Sequence, residues 1–452
     1  MSIAHRRPAA PSSIEEAYRR RSPRSAELHA RARRVLPGGN SRQAAFWEPY
    51  PLSIERASGS RLYDVDGNEY LDLVYNYTSM VHGHAYPPIL EAVDLARGSG
   101  WTASNQAMIE LAELIVGRVP AMERIRFTNS GTEAGLLALT LARELTGRYR
   151  VLMARGGYHG SLPEFESGTF GHPGPATLLA EYGDLTSFER VLAERGDEVA
   201  AVVIEPVQGA GGVVRGAPEF LRGLCAATRR AGALFVLDEV ITFRLATGGV
   251  QGEIGLDPDL TMLGKIIGGG FPVGAVGGKR ELLDVLDPTA ADRPPSQSAA
   301  SHRSPSQRRS VFHSGTYNAN PVTMAAGAVS VRELTAERIA RIDRLAERLE
   351  QGLGRAAERC GLPAKVRRVG SLVAFQAVRP GPEAAAAPPA GISIVPADPT
   401  PAIFHLAALN HGLLLAPRGM MAVATVLDEA AIDEAIERAA AAMADVQGEA
   451  PR

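Results

Sequence analysis

The sequence predicts an α/β protein, with a large domain on a mainly parallel sheet and a smaller α+β domain. Three observations lead there. From about 106 to 280, short apolar or β-branched runs alternate with helical segments, the pattern of strands joined by crossover helices. Before it, residues 52 to 74 alternate apolar and polar positions around the turn signal Asp66-Gly67, as a small antiparallel sheet does. Beyond 325 come long Ala-, Arg- and Glu-rich helical stretches. This divides the chain into an N-terminal helical segment at 1–35, a first part of the small domain at 36–75, a large domain at 76–324 and the rest of the small domain at 325–452.

Taken in order, Ser13 and Glu16 have capping-box spacing ahead of an Arg-rich stretch reaching about residue 34, which reads as an exposed helix ended by Pro37, Gly38 and Gly39. In the middle, Ile125-Arg126-Phe127, Val151-Leu152-Met153, Val202-Val203-Ile204 and Leu234-Phe235-Val236-Leu237 read as strands, with helices near 132–146, 185–195 and 217–231. Leu137, Leu141 and Leu145 share one face of the first helix, which Gly147 ends. A sheet of this kind carries its ligand site at the carboxyl ends of its strands. Residues 288–310, rich in Pro, Ser, Ala and Arg without periodicity, read as a mobile surface insertion. A Pro/Ala loop near 379–390 and a terminal helix from about 428 complete the chain.

Composition narrows the function. A chain of 452 residues, 45% hydrophobic, buries a large core. Its net charge of -2 gives no field that draws it to nucleic acid or to an anionic membrane, so small molecules are the expected partners. Two cysteines, Cys225 and Cys360, build neither a disulfide framework nor a cysteine metal site, and no metal is expected. The first 35 residues lack the apolar centre of a secretory signal, and no run approaches the roughly 18 apolar residues of a span, so a cytoplasmic location is expected. The lysines are Lys265, Lys279 and Lys365, and arginine cannot replace them in amine chemistry.

Three segments carry chemistry. Asn129-Ser130-Gly131-Thr132-Glu133-Ala134 lies where a strand hands over to a helix, so backbone N–H groups and small hydroxyls meet a positive helix end suited to a phosphate. Ordinary capping by Ser and Thr accounts for the same residues. Asp238 ends an apolar strand, and a carboxylate buried there requires a cationic partner. A protonated pyridine nitrogen serves, as does an arginine in a structural ion pair. Lys265 follows Leu263-Gly264 and precedes Gly268-Gly269-Gly270, an apolar, glycine-dense setting that lowers an amine's pKa and frees it as a nucleophile. A phosphate-binding Walker loop is excluded by Asp259 and Ile266 at its required positions, and the glycine spacing does not fit a dinucleotide fingerprint.

In this order and spacing, NSGTEA at 129, Tyr158-His159-Gly160, DEV at 238, PDLTMLGK ending at Lys265, IGGGFPVGAVGG at 267 and Gly315-Thr316 within HSGTYNANP at 313 resemble the class III (ω-type) aminotransferases of fold type I. Those enzymes depend on pyridoxal 5′-phosphate (PLP), and the resemblance runs from about residue 36 to 440. It implies that Ser130, Gly131 and Thr132 bind the cofactor phosphate, that Tyr158 and Val240 cover opposite ring faces, and that Asp238 pairs with the ring nitrogen. Lys265 is implied to hold PLP as a Schiff base and to act as the general base. Thr316 is implied to reach the phosphate of a neighbouring subunit's cofactor, in a homodimer with shared active sites.

Two branches of that family compete. PGGNSR at 37, SIERASGSRLYDVDGNEYLDLV at 53 and GHAYP at 83 resemble glutamate-1-semialdehyde 2,1-aminomutase, which shifts an amino group within one molecule. DEVITFR without a glycine, Ala210 and Ser161 depart from it. The departures resemble β-amino-acid transaminases of the β-phenylalanine type, through Arg42 and Pro417-Arg418-Gly419. Each guanidinium is suited to holding a carboxylate through two parallel hydrogen bonds, although both also read as surface or ion-pair arginines. Tyr77, with Tyr75 and Asn76, aligns with a pocket-lining segment, and equally reads as sheet core. The expectation is an aminotransferase moving an amino group from a β-amino acid or related ω-amine to a 2-oxo acid. An aminomutase is the alternative, and a non-catalytic PLP-fold protein is disfavoured because Lys265, Asp238 and the phosphate turn are all present.

Overall fold

The computed structural model describes residues 12–165, 174–289, 310–377 and 399–449. The insertion expected at 288–310 lies almost wholly, and the Pro/Ala loop near 379–390 wholly, outside the described residues.

Seven strands form the central sheet, in the order Arg124–Thr128, Gly274–Gly278, Leu260–Gly264, Leu234–Asp238, Val199–Ile204, Arg150–Ala154 and Thr177–Ala180. Gly274–Gly278 runs antiparallel to both neighbours, and the remaining pairs are parallel. Every residue of Val199–Ile204 is buried, as in a sheet covered on both faces. The two-residue strand period sorts the core. Leu152, Val202, Ile204, Phe235 and Leu237 pack with Phe188, Leu221 and Leu224 on one side. Met153, Ala201, Val203, Val236 and Met262 pack with Leu137, Ala138 and Leu141 on the other. The helices read from the sequence are there as Gly131–Thr146, Leu185–Arg195 and Pro218–Arg230.

Three strands escaped the sequence reading: Thr177–Ala180, Leu260–Gly264 and Gly274–Gly278. The last is mostly glycine, which is depleted in strands, and its reason is tertiary. A methyl on Gly274 would stand 2.0 Å from the Ser130 carbonyl oxygen.

The N-terminal region also differs from expectation. It forms two helices, Ser13–Arg21 and Pro23–Ala32, and the first is capped by Ser12, whose hydroxyl accepts from Glu15 N–H at 3.2 Å. Ile14 and Tyr18 are buried, an i, i+4 stripe hidden among charges. The Tyr18 hydroxyl donates to the Tyr50 carbonyl at 2.7 Å, and Glu449 accepts from Ile14 N–H at 2.7 Å.

Both ends of the chain build the flanking layer. Ile54–Ser58, Arg61–Asp64 and Glu69–Asp72 pair antiparallel, and Leu413–Leu414 adds in parallel beside the third. A second sheet of Ala364–Val369, Leu372–Ala377 and Met420–Ala422 packs with the helices Ala336–Cys360 and Glu429–Glu449. Arg244, fully buried, ties this layer to the central sheet: its Nε donates to Ser371 Oγ at 3.0 Å and its Nη2 to the Val423 carbonyl. Burial pulls its guanidinium down to about 10. Among the described residues no helix is long and apolar enough to cross a membrane.

The Gly274 contact is testable. Gly274→Ala is expected to destabilise the protein by about 1–3 kcal/mol, the range of overpacking. Thermal unfolding beside the wild type checks it, and an unchanged midpoint would refute the constraint.

Candidate active site

Because the strands ending at Thr128, Ala154, Ile204, Asp238 and Gly264 point the same way, their carboxyl ends share one edge of the sheet. The turns leaving that edge deliver Ser130, Tyr158, Glu205, Asp238 and Lys265.

Ser130 caps the helix Gly131–Thr146, its hydroxyl accepting from Glu133 N–H at 3.1 Å. The first N–H groups of this helix have no acceptor within it. The loop at 158–161 lies directly over the turn: Ser161 N–H donates to Thr132 Oγ1 at 3.3 Å, and Gly160, at φ 108°, would bring a methyl within 2.7 Å of that oxygen. Val240 is half-buried against Gly131 and Gly264. The Tyr158 side chain is exposed at the rim, while its N–H donates to Glu205 at 3.0 Å.

Asp238, 5% exposed, has as its partner the buried His159, with Nδ1 2.8 Å from Oδ2, and not the arginine weighed from sequence. Its Oδ1 accepts from Val240 N–H at 3.0 Å. Burial opposes charge on His159, but the hydrogen bond and charge of Asp238, with Glu205, outweigh it and raise the imidazole above its usual value. Glu205 accepts from Tyr158 N–H and from Gly209 N–H at 3.1 Å, and burial pushes its carboxyl up to about 7. Lys265 adopts φ 50°, and desolvation lowers its amine to about 8. Asp238 and Glu205 resist that shift, and the charge of Arg42 assists it.

At the rim, half-buried Tyr77 brings Arg42 and Arg418 into one group. Arg42 Cζ lies 5.5 Å from the Tyr77 ring centroid. Burial raises the Tyr77 phenol while both guanidinium charges pull it down. Arg42 and Arg418 are exposed, and desolvation lowers Arg418. Thr316 stands exposed on the segment after 310, whose Asn318 accepts from Asn129 Nδ2 at 2.7 Å. The sequence reading missed His159 as the partner of Asp238, and Glu205 as the brace of the Tyr158 loop. A histidine two residues from a glycine pair and a Glu-Pro after a strand carry no signal until the sheet aligns their ends.

A carboxylate backed by histidine, an amine of low pKa and a helix-capping turn with free donors fit the ring nitrogen, aldehyde and phosphate of PLP. Fold and site together define a PLP-dependent enzyme of fold type I. The chain belongs to the class III aminotransferases: residues 43–445 match the family described as "Aminotransferase class-III". It is 38% identical over 425 residues to a glutamate-1-semialdehyde 2,1-aminomutase of Aeropyrum pernix, covering 89% of this chain and 93% of that protein. Among solved structures, an omega-transaminase from Sphaerobacter thermophilus superposes with TM-score 0.83 at 36% identity, covering 94% of this chain and 98% of that one. A β-phenylalanine aminotransferase from Variovorax paradoxus superposes with TM-score 0.80 at 34% identity, covering 96% of each. The position between two branches, expected from the motifs, is the one found.

The raised Glu205 carboxyl has a consequence for stability. Unfolded, it releases its proton near 4.5, whereas folded it keeps it to about 7, so the folded state binds more protons across that window and loses stability as pH rises through it. Glu205→Gln in the cofactor-free protein is expected to flatten the stability–pH curve between these limits. Denaturant titrations at a series of pH values check this, and an unchanged slope would count against the buried carboxyl.

Proposed function

We propose that the protein is an aminotransferase that takes the amino group of a β-amino acid or related ω-amine and delivers it to a 2-oxo acid, working as a cytoplasmic homodimer. The observation that carries this reading is the arginine pair at Tyr77: the Arg42 guanidinium lies over the ring, Cζ 5.5 Å from its centroid, and the charges of both Arg42 and Arg418 pull the phenol down against burial. One guanidinium suffices for a β-amino acid's carboxylate, and the second lets the same site take a dicarboxylic 2-oxo acid.

PLP, when bound, supplies an electron sink for the bond-breaking at the carbon that bears the substrate's amine. Lys265 would hold the cofactor through its Nζ, and the same amine would be placed to take and return a proton at the substrate carbon beside it. Its pKa near 8 suits a base working near neutrality. Asp238 keeps the ring nitrogen protonated, and His159 fixes the orientation of that carboxylate from behind. Ser130, Gly131 and Thr132 hold the phosphate, and Tyr158 and Val240 bound the ring. Thr316 serves the phosphate site of a second copy. Its exposure, with exposed Phe312, Tyr317 and Trp101 nearby in the chain or in contact, supports an interface there.

The aminomutase reading is favoured by the 38% identity to the Aeropyrum pernix protein, and it requires no external acceptor. The two readings separate when PLP-loaded protein receives β-amino acids alone. One equivalent of oxo product per site followed by a stall, relieved by 2-oxoglutarate or pyruvate, is the expected result. Isomerisation of glutamate-1-semialdehyde without acceptor would make it an aminomutase, and no response to any amine would mean a non-catalytic protein.

Lys265→Ala is expected to keep the fold and lose covalent cofactor retention after borohydride reduction. Mass spectrometry locates the label, and finding it on Lys279 or Lys365 would overturn the assignment.

A further inference from the structure

Tyr75, Asn76, Tyr77 and Thr78 have φ values of 47°, 51°, 53° and 74°. With ψ of 53° at both Asn76 and Tyr77, these four residues, none of them glycine, make a turn of left-handed helix. Crowding between Cβ and the following carbonyl disfavours each of them. Such strain persists where the surroundings over-determine it, and it points to a functional constraint.

The surroundings do so here. Asp72 accepts from Val74 N–H at 2.6 Å and from Tyr75 N–H at 3.1 Å, and it pairs with His84 at 2.7 Å. The Tyr75 ring is fully buried and stacks on His84 at 5.8 Å between centroids, and Thr78 is buried as well. Anchored at both ends, the turn leaves Asn76 exposed and Tyr77 half-exposed at its crest. Asn76 Oδ1 accepts from Arg42 Nη1 at 2.7 Å, and Tyr77 lies under the same guanidinium while its hydroxyl donates to the Ala44 carbonyl. The backbone of Arg42 is itself tethered, its N–H donating to Asn40 Oδ1 at 2.5 Å.

We propose that Asn76 is a positioning residue that sets the carboxylate specificity of this site. It pins one nitrogen of Arg42 so that the opposite edge presents its two parallel N–H groups to the carboxylate of a β-amino acid. This rests on reading Arg42 as the substrate-carboxylate contact. An unpinned, exposed arginine samples many rotamers, and fixing it before the ligand arrives removes that ordering cost from binding. A right-handed turn would carry the Asn76 amide away from Arg42. Asparagine is also the side chain best suited to hold a left-handed residue and accept a hydrogen bond there.

The test compares Asn76→Ala and Asn76→Gly with Arg42→Ala. Both Asn76 variants are expected to raise KM for a β-amino acid roughly tenfold, the scale of one hydrogen bond to a charged group, with the effect on KM and not on kcat. Binding of 3-phenylpropanoate to the cofactor-free protein, measured by calorimetry, should weaken in parallel. Asn76→Gly should meanwhile raise the unfolding midpoint, because glycine adopts positive φ freely, so that stability and affinity move in opposite directions. A merely structural asparagine would not produce that split. If Arg42→Ala weakens carboxylate binding while both Asn76 variants bind as the wild type, the positioning role is wrong and the reading of Arg42 survives. If Arg42→Ala has no effect, the reading of Arg42 fails and this proposal falls with it.

Discussion

The 2.8 Å contact between His159 and Asp238 is the interaction on which the rest of the site depends. A carboxylate 5% exposed is costly unless a partner compensates it, and its charge is also felt by the amine of Lys265. If that amine were its only counter-ion, Asp238 would keep the lysine charged and unreactive. Desolvation prevails at Lys265 and brings it down to about 8 despite the negative charge of Asp238 and Glu205, while His159 partners the carboxylate directly.

Strand order makes this contact possible. Leu234–Asp238 lies between Val199–Ile204 and Leu260–Gly264, so Glu205 and Asp238 stand side by side at adjacent strand ends, and Lys265 follows three residues beyond Met262, the partner of Asp238 on the next strand. Arg150–Ala154, one strand further on, sends out the loop that carries Tyr158 and His159. Glu205 joins that loop to the one at Gly209 through two backbone N–H groups. The charge of Asp238 thus adds to burial in raising the Glu205 carboxyl, and Glu205 also holds the backbone around the cleft. On the far side, Gly274 lets the antiparallel strand approach the Ser130 turn closely, which keeps the helix-capping donors at the same edge.

Legibility in the sequence followed the range of the forces. Val199–Ile204 and Leu234–Asp238 were readable because continuous apolar runs need no partner to look like strands, and Leu185–Arg195 because its cap at Asp184 and its closing Arg195 are local. Gly274–Gly278 was not, since Gly274 answers to Ser130 and Gly277 to Met122, each more than a hundred residues away in the chain. The helical span at the N-terminus was legible, but its buried face was hidden by charge, Ile14 and Tyr18 standing among many arginines. Lys265, Asp238 and the Ser130 turn were legible because each sits in a short backbone pattern whose chemistry is local. His159 and Glu205 acquire meaning only when two strand ends align. Arg42 and Arg418, separated by nearly the whole chain, were suggested by family resemblance, and it is the sheet shared by both chain ends that makes their proximity physical.

This division has a consequence for how activity is distributed in the molecule. The buried groups at the strand ends serve intramolecular and intermolecular amino transfer alike, because both begin with the same proton movement at Lys265 on the proposed reading. What separates them is whether the first product leaves before the amino group returns, and that depends on how tightly the rim holds a carboxylate. Arg42 and Arg418 are exposed, so on the proposed reading a carboxylate held there would be screened by salt, and a change of about 1.4 kcal/mol would shift its residence tenfold. On that reading a substitution at the rim would change the reaction's outcome at little cost to the fold, whereas one at Asp238 or His159 would disturb both. The strained turn under Arg42 belongs to the rim in this sense: its crest meets Arg42 through Asn76, and the packing around Asp72 and Tyr75 sustains it.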